Sequence, residues 1–156
     1  MLNDEIKAKY QNSIKDGALR ELRAALLFIE RGYTVSVPNM STRYDFIAEK
    51  FPIIIRVQVK PLKPIKSKAK NQPHDIEWFI PAYSTVSKKK RPYSIEDCNI
   101  VVGIDNEYGN YAVVPIGEIT ETSAVYRVTD YKGRKRKKYL NPSNFDDICG
   151  QYKYMK

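Results

Sequence analysis

One segment, residues 53–60 (IIIRVQVK), constrains the fold of this chain more than any other. It is rich in Ile and Val, and apolar and polar side chains alternate over its second half, which is the pattern of a β-strand. Pro61 follows and ends the strand, because proline has no backbone N–H to donate to a neighbouring strand. Gln58 and Lys60 lie two residues apart and therefore share one face. The sequence thus predicts two polar side chains on one side of a strand end, where clefts form.

A helix is predicted over residues 12–31. Apolar residues recur there at the i, i+3, i+4, i+7 spacing of one helix face, and Gly32 is the residue expected to end the helix. The apolar positions are Ala18, Leu19, Leu22, Ala25, Leu26 and Ile29. Glu21 falls at the margin of this stripe, from which a carboxylate can reach the edge of the packed interface.

The chain after the helix predicts a run of short strands. They cover residues 33–37, 44–48, 53–60, 76–80, 99–104, 111–114, 124–128 and 138–140, of which the last four form two hairpins. Predicted loops cover residues 61–73 and 84–91, and a short helix is expected from Ser143. With 156 residues and no repeat or domain boundary, this order favours a single α/β or α+β domain, in which a mixed central sheet is flanked by helices.

The positive charge of the chain is large and clustered. A formal net charge of +9 favours a polyanionic partner, most often nucleic acid. The candidate DNA-binding residues are Lys63, Lys66, Lys68, Lys88, Lys89, Lys90, Arg91, Arg134, Lys135, Arg136 and Lys137. Aromatic residues such as Trp78 and Tyr93 lie near these clusters and can stack on sugars or bases. The alternative is that each cluster is only a solvated surface that keeps the protein soluble.

Other classes of protein are disfavoured by composition. No apolar run approaches the roughly 20 residues of a membrane span, and the first residues have no secretory signal, so we expect a cytoplasmic protein and no membrane partner. The two cysteines fit no metal spacing and suggest a reducing compartment. A single histidine excludes sites that need two or more.

Three separated segments carry acidic or amide side chains that could act together with a lysine. Glu21 lies on the predicted helix, Asp45 on the second predicted strand, and Gln58 and Lys60 on the third. Phosphodiester hydrolysis uses such a set: oxygen ligands hold a hard divalent cation, which lowers the pKa of its bound water and stabilises charge on the phosphoryl oxygens. A neighbouring lysine can orient that water or stabilise the developing anion.

The order of these motifs resembles the PD-(D/E)XK nuclease superfamily. The motifs are Gly17-x-x-x-Glu21, Gly32-Tyr33 leading to Pro38, Tyr44-Asp45 and Val57-Gln58-Val59-Lys60. They are most similar to the group I intron-encoded homing endonucleases of this superfamily, which write the last motif as VQVK. The resemblance covers residues 17–60 well and extends more weakly through residues 93–97 and 100–115.

The resemblance implies a single nuclease domain over residues 1–156 with a restriction-endonuclease-like core. It further implies a Mg²⁺ (or Mn²⁺)-dependent endonuclease that cleaves duplex DNA at a specific site. Asp45 would be the principal metal ligand, Glu21 a supporting acid near the metal, and Lys60 the catalytic lysine. Gln58 would take a metal-ligand position usually held by Asp or Glu, so the site loses one negative charge.

Two further expectations concern assembly and alternatives. Cutting both strands needs two active centres, so a homodimer or homotetramer is expected. A Holliday-junction resolvase or a restriction-type nuclease would fit the same motifs. A non-catalytic nucleic-acid-binding module on the same fold would fit the charge, but such a module has no need of Asp45 and Lys60.

Overall fold

The computed structural model describes residues 2–65, 77–86, 88–107, 109–119, 123–127 and 145–153. The elements within these ranges are helix α1 (Leu2–Ile29), strands β1 (Thr34–Ser36), β2 (Phe46–Lys50), β3 (Ile53–Pro61), β4 (Lys63–Ile65), β5 (Glu77–Pro81), β6 (Tyr83–Val86), β7 (Lys89–Pro92), β8 (Ile100–Ile104) and β9 (Tyr111–Pro115), a 3-10 turn (Ile116–Glu118), β10 (Ser123–Arg127) and helix α2 (Phe145–Cys149). Within this described part of the chain, no helix has the length and apolar character needed to cross a membrane.

The central sheet is mixed, as predicted. Its five strands lie in the order β1-β2-β3-β8-β9, with β3 and β8 parallel and the other neighbours antiparallel. A second sheet has the order β10-β5-β4, and β6 pairs with β7 as a separate hairpin. The strongest predicted strand, β3, is therefore central, and the predicted hairpin of β8 and β9 is confirmed.

The central sheet is covered on both faces, because β8 is buried along its whole length. Ile100, Val102 and Ile104 belong to the cluster that packs against α1 and α2. Val101, between them, belongs to a second cluster with Trp78 of the smaller sheet. Gly103 permits this second contact, since a Cβ at that position would lie 2.6 Å from the Cδ1 atom of Ile80.

The predicted helix is confirmed, but it begins at Leu2 rather than at residue 12. Residues 2–11 contain no Gly or Pro and are rich in good helix formers such as Lys, Glu, Ala and Gln. The side chains of residues 5–16 are exposed, including Ile6, Tyr10 and Ile14 on one side of the helix, so this part of α1 is not held by packing against the core. Gly32 follows the helix with a φ of 81°, the left-handed conformation that glycine adopts without strain.

The predicted packing face of α1 is wrong. Leu19, Leu22 and Leu26 are exposed, with 69% of Leu22 accessible. Ala24 and Phe28 are buried instead, and the Phe28 ring meets the ring of Phe46 edge-on at 5.5 Å between centroids. The second half of α1 is apolar on two faces, so the helical pattern alone did not decide which one the sheet would cover.

Several strand boundaries also differ from the prediction. The second strand covers Phe46–Lys50 rather than residues 44–48, so Asp45 immediately precedes it. The predicted loop over residues 61–73 contains β4, which pairs with β5, and the predicted loop over 84–91 is the hairpin of β6 and β7. These strands are short, and β4 and β7 are rich in charge and proline, so they form because a partner strand is present.

The C-terminal predictions are only partly covered by the described residues. β10 pairs with β5, whereas the predicted partner at residues 138–140 lies outside the described ranges. The predicted terminal helix is confirmed from Phe145, with Phe145 and Cys149 buried in the main core.

Candidate active site

The candidate site lies where β2 begins and the antiparallel strand β3 continues beyond it. Phe46 of β2 is paired with Val57, and the backbone N–H of Asp45 still donates to the carbonyl oxygen of Val57 at 2.8 Å. Beyond that point the side chain of Asp45 replaces the β2 backbone. Its Oδ2 accepts the backbone N–H of Val59 at 2.6 Å. The Asp45 carboxylate is therefore held against β3 by a hydrogen bond from the β3 backbone.

Gln58 is directly bonded to this carboxylate. Its side-chain amide is buried and donates to Asp45 Oδ2 at 2.7 Å and to the carbonyl oxygen of Val59 at 3.2 Å. Both partners are acceptors, so the NH₂ group must be the end that lies between them. The amide oxygen Oε1 of Gln58 lies at the other end of the amide, where it could act as a metal ligand. A glutamate here would instead place a second negative charge against Asp45.

Burial raises the pKa of Asp45 from 3.8 to about 6. The hydrogen bond from Val59 opposes this rise, the charge of Glu21 adds to it, and Lys60 lowers the pKa again. A carboxyl group whose pKa is shifted toward neutrality beside a charged partner is a candidate for a functional role. At physiological pH a cation beside Asp45 would favour its ionised form, so proton and metal compete for the same group.

Lys60 lies at the same strand end and is half-buried. Burial lowers the pKa of its ammonium group, while the nearby charge of Asp45 raises it and the charges of Arg20 and Arg43 lower it. The Nζ atom lies 5.0 Å from the centre of the Tyr93 ring. The prediction that Gln58 and Lys60 share a strand face beside an acid is consistent with this arrangement.

Glu21 is exposed on α1 and acts on the site through its charge. Its carboxylate is close enough to raise the pKa of Asp45. The prediction that Glu21 can reach the edge of the helix–sheet interface agrees with this position. Its role as a supporting acid, like the roles of Asp45, Gln58 and Lys60, stays a prediction.

A metal held here would depend on more than carboxylates. Among the residues that the structure describes, no group of three or more His, Cys, Asp or Glu side chains could hold a metal ion. The donors of the candidate site are instead mixed: the Asp45 oxygen Oδ1, the amide oxygen of Gln58 and the carboxylate of Glu21. All are oxygen ligands, which suit Mg²⁺ or Mn²⁺.

A cluster of Arg43, Tyr93 and Asp97 lies next to Lys60, and the sequence analysis gave it no role in the active site. The guanidinium carbon of Arg43 lies 5.0 Å from the centre of the Tyr93 ring, the ring that Lys60 also contacts. Arg43 Nε lies 3.0 Å from Oδ1 of the buried Asp97. Asp97 also accepts the backbone N–H of Ser94 at 2.9 Å. The signals in the sequence were the position of Arg43, two residues before Asp45, and the weak extension of the resemblance through residues 93–97.

The same cluster connects the candidate site to the basic hairpin formed by β6 and β7. Arg43 donates to the hydroxyl oxygen of Ser84 on β6 at 3.2 Å, and Arg91 on β7 lies 3.7 Å from Asp97. The predicted DNA-binding residues Lys88, Lys89, Lys90 and Arg91 are all exposed on this hairpin.

The remaining predicted DNA contacts divide into three groups. Lys63 is exposed on β4. Trp78 is buried in the second core cluster, with 4% of its surface accessible, so the prediction that it could stack on a base is wrong. The other candidates, which lie outside the described residues, are Lys66, Lys68, Arg134, Lys135, Arg136 and Lys137.

Comparison with known proteins agrees with the fold. The sequence model of the PD-(D/E)XK endonucleases matches residues 11–148. A solved bacterial homing endonuclease, I-Ssp6803I, superposes with a TM-score of 0.59 at 19% sequence identity, over 80% of this chain and 82% of that chain. No curated protein matches the sequence. Because the family match spans most of the chain and the structural likeness confirms the fold, this protein belongs to the PD-(D/E)XK endonuclease family.

Proposed function

We propose that this protein is a metal-dependent endonuclease that hydrolyses phosphodiester bonds of duplex DNA at a specific site, as a homing endonuclease does. One observation carries the proposal. At the end of β3, the half-buried Asp45 is hydrogen-bonded to Gln58 and lies within electrostatic reach of the half-buried Lys60. A module that only binds DNA does not need a carboxyl group whose pKa burial raises to about 6.

The residues of the site suggest a division of roles. Asp45 and the amide oxygen of Gln58, with Glu21 in support, would hold Mg²⁺ or Mn²⁺, which activates water and stabilises charge on the phosphoryl oxygens. Gln58 would also have a second role, because the hydrogen bond from its NH₂ group holds the Asp45 carboxylate in place. Lys60 would orient the attacking water or stabilise the developing anion.

Duplex DNA fits the surface around the site. The exposed residues Lys88, Lys89, Lys90 and Arg91 lie on the hairpin of β6 and β7. Two polar contacts, Arg43 with Ser84 and Arg91 with Asp97, connect this hairpin to the cluster next to Lys60. Phosphates held by this hairpin would therefore be held in register with the reacting phosphate. Cleavage of both strands would require two such centres, which supports a homodimer or homotetramer.

The proposal is tested by incubating the purified protein with a pool of random duplex DNA and with supercoiled plasmid in the presence of Mg²⁺. Nicking or linearisation should occur, stop when EDTA is added, and fall at least a hundred-fold in Asp45→Asn and Lys60→Met, the order of magnitude for loss of one transition-state contact. Glu49→Gln is the matched control, because Glu49 is an exposed acid on β2.

Two results would count against the enzyme. If no cleavage is found on the pool while all variants bind DNA as the wild type does, the protein is a binding module. If Asp45→Asn and Glu49→Gln lose activity equally, the carboxyl group at the end of β3 is not the catalytic one. Preference for four-way junctions over linear duplex would instead indicate a resolvase.

A further inference from the structure

Residues 5–16 of α1 take no part in the core. The side chains of residues 5–16 are exposed, whereas the buried residues of this helix, Ala24 and Phe28, lie near its end. A long helix extension that buries nothing needs another reason to be there. Its polar face provides one.

Four polar residues of α1 fall on a single face. Lys9, Ser13, Asp16 and Arg20 are separated by four, three and four residues, which is the spacing of neighbours along one side of a helix. Together with Asn12, Pro61 and Lys63 they line an open groove between α1 and the start of β4. One wall of the groove is thus helical, and the other is the chain that leaves β3.

The groove begins beside the candidate active site. Pro61 directly follows Lys60, and Arg20 is near enough for its charge to lower the pKa of Lys60. From Arg20 to Lys9 the helix runs for about 16 Å, a length over which a DNA strand carries several phosphates. The groove therefore leads from the reacting group along the helix.

The chemistry of the groove suits a polyanion. It contains three cations, Lys9, Arg20 and Lys63, against one carboxylate, Asp16. Hydroxyl and amide side chains, here Ser13 and Asn12, are common donors to phosphate oxygens in protein–DNA contacts. An apolar ligand would find only Pro61 among the lining residues.

We propose that this groove binds the phosphates of the DNA strand that flanks the scissile bond, with Lys9, Arg20 and Lys63 as the contacting cations. The inference rests on the proposed function for its ligand, since it takes DNA as the substrate. It adds a row of phosphate contacts on α1 to those predicted for the basic hairpin of β6 and β7. It also gives the exposed part of the helix a function.

The test uses the salt dependence of binding, which counts phosphate contacts. Each contact contributes about 0.9 to the slope of log affinity against log salt concentration. The affinity of the full chain for a short DNA duplex of random sequence is measured between about 50 and 200 mM salt, in EDTA so that no strand is cut. The variants are Lys9→Gln, Arg20→Gln, Lys63→Gln and the combination of the three.

The matched control is Lys7→Gln combined with Lys15→Gln. Both residues are exposed on α1, and neither lines the groove. Each groove variant should reduce the slope by about 1 and the triple variant by about 3. The control variant should keep the slope of the wild type although it loses two charges.

Two outcomes would overturn the groove. A wild-type slope in the triple variant would show that it makes no phosphate contact. A loss of slope in the control variant equal, per charge removed, to the loss in the groove variants would show that only the diffuse charge of the helix matters. Because no cleavage is measured, these results are independent of the proposed reaction: the groove can bind phosphates in a protein that never cuts DNA, and a working nuclease can lack the groove.

Discussion

Replacing Asp45 by Asn should make the metal-free protein more stable at neutral pH, although it removes the proposed metal ligand. Folding raises the pKa of this carboxyl group from 3.8 to about 6, mainly through burial. Between those two values the folded protein holds a proton that the unfolded chain releases, so the free energy of unfolding falls as the pH rises. At 1.36 kcal/mol per pKa unit the total penalty is about 3 kcal/mol above pH 6.

An asparagine carries no such penalty and keeps the bonds that matter. Its Oδ1 can accept the N–H of Val59 and the amide of Gln58, as Oδ2 of Asp45 does. The assay is urea unfolding of the wild type and Asp45→Asn at a series of pH values in EDTA. Their difference in the free energy of unfolding should be small near about pH 4 and reach about 3 kcal/mol in favour of the variant by about pH 7.

Two comparisons make this prediction strict. Glu49→Gln, at an exposed position on β2, should show no such pH-dependent gain. Added Mg²⁺ should stabilise the wild type but not Asp45→Asn, because only an ionised carboxylate binds the ion well. A stability difference that stays constant from about pH 4 to about pH 7 would refute the argument that burial keeps this carboxyl group protonated.

Three further predictions concern the surroundings of this carboxylate. Gln58→Glu should lower the stability of the metal-free protein at neutral pH by about 1–3 kcal/mol, because a buried donor becomes a second charge, and calorimetry should show tighter Mg²⁺ binding than in the wild type. Tyr93→Leu should lower kcat at least ten-fold with little change in KM, since the ring contacted by Lys60, the proposed catalytic lysine, is lost, whereas Tyr93→Phe keeps the ring and should restore the rate; equal losses in both variants would contradict a role for the ring face. Gly103→Ala should cost about 1–3 kcal/mol in thermal unfolding because the added Cβ meets Ile80 at 2.6 Å, and Gly117→Ala, where nothing lies within 4 Å, is the control expected to be near neutral.

Much of the site was predictable because its strongest signal is local. The alternation of residues 53–60 requires that Gln58 and Lys60 share a face, and Pro61 requires that the strand end there. Glu21 could be placed at the margin of a helix face from its spacing alone. The chemistry of this residue set then pointed to metal-assisted phosphodiester hydrolysis before any contact was known.

The packing of α1 shows where local pattern stops. Spacing predicted that Leu19, Leu22 and Leu26 face the sheet, yet Ala24 and Phe28 do so. Both faces are apolar, so their hydrophobicity is nearly equal and does not choose between them. The choice depends on shape, because the sheet accepts the small Ala24 and the ring of Phe28 against Phe46.

The sequence by itself determined which side chains of β3 point together, where that strand stops and how basic the chain is, since these depend on neighbours along the chain. Only the tertiary structure decided that β2 begins at Phe46, so that the side chain of Asp45, just before it, accepts a backbone hydrogen bond from β3 and another from Gln58. It also decided that the Tyr93 ring lies close to both Lys60 and Arg43. The pKa of a buried group depends on every atom that excludes water from it, and those atoms come from segments far apart in the chain.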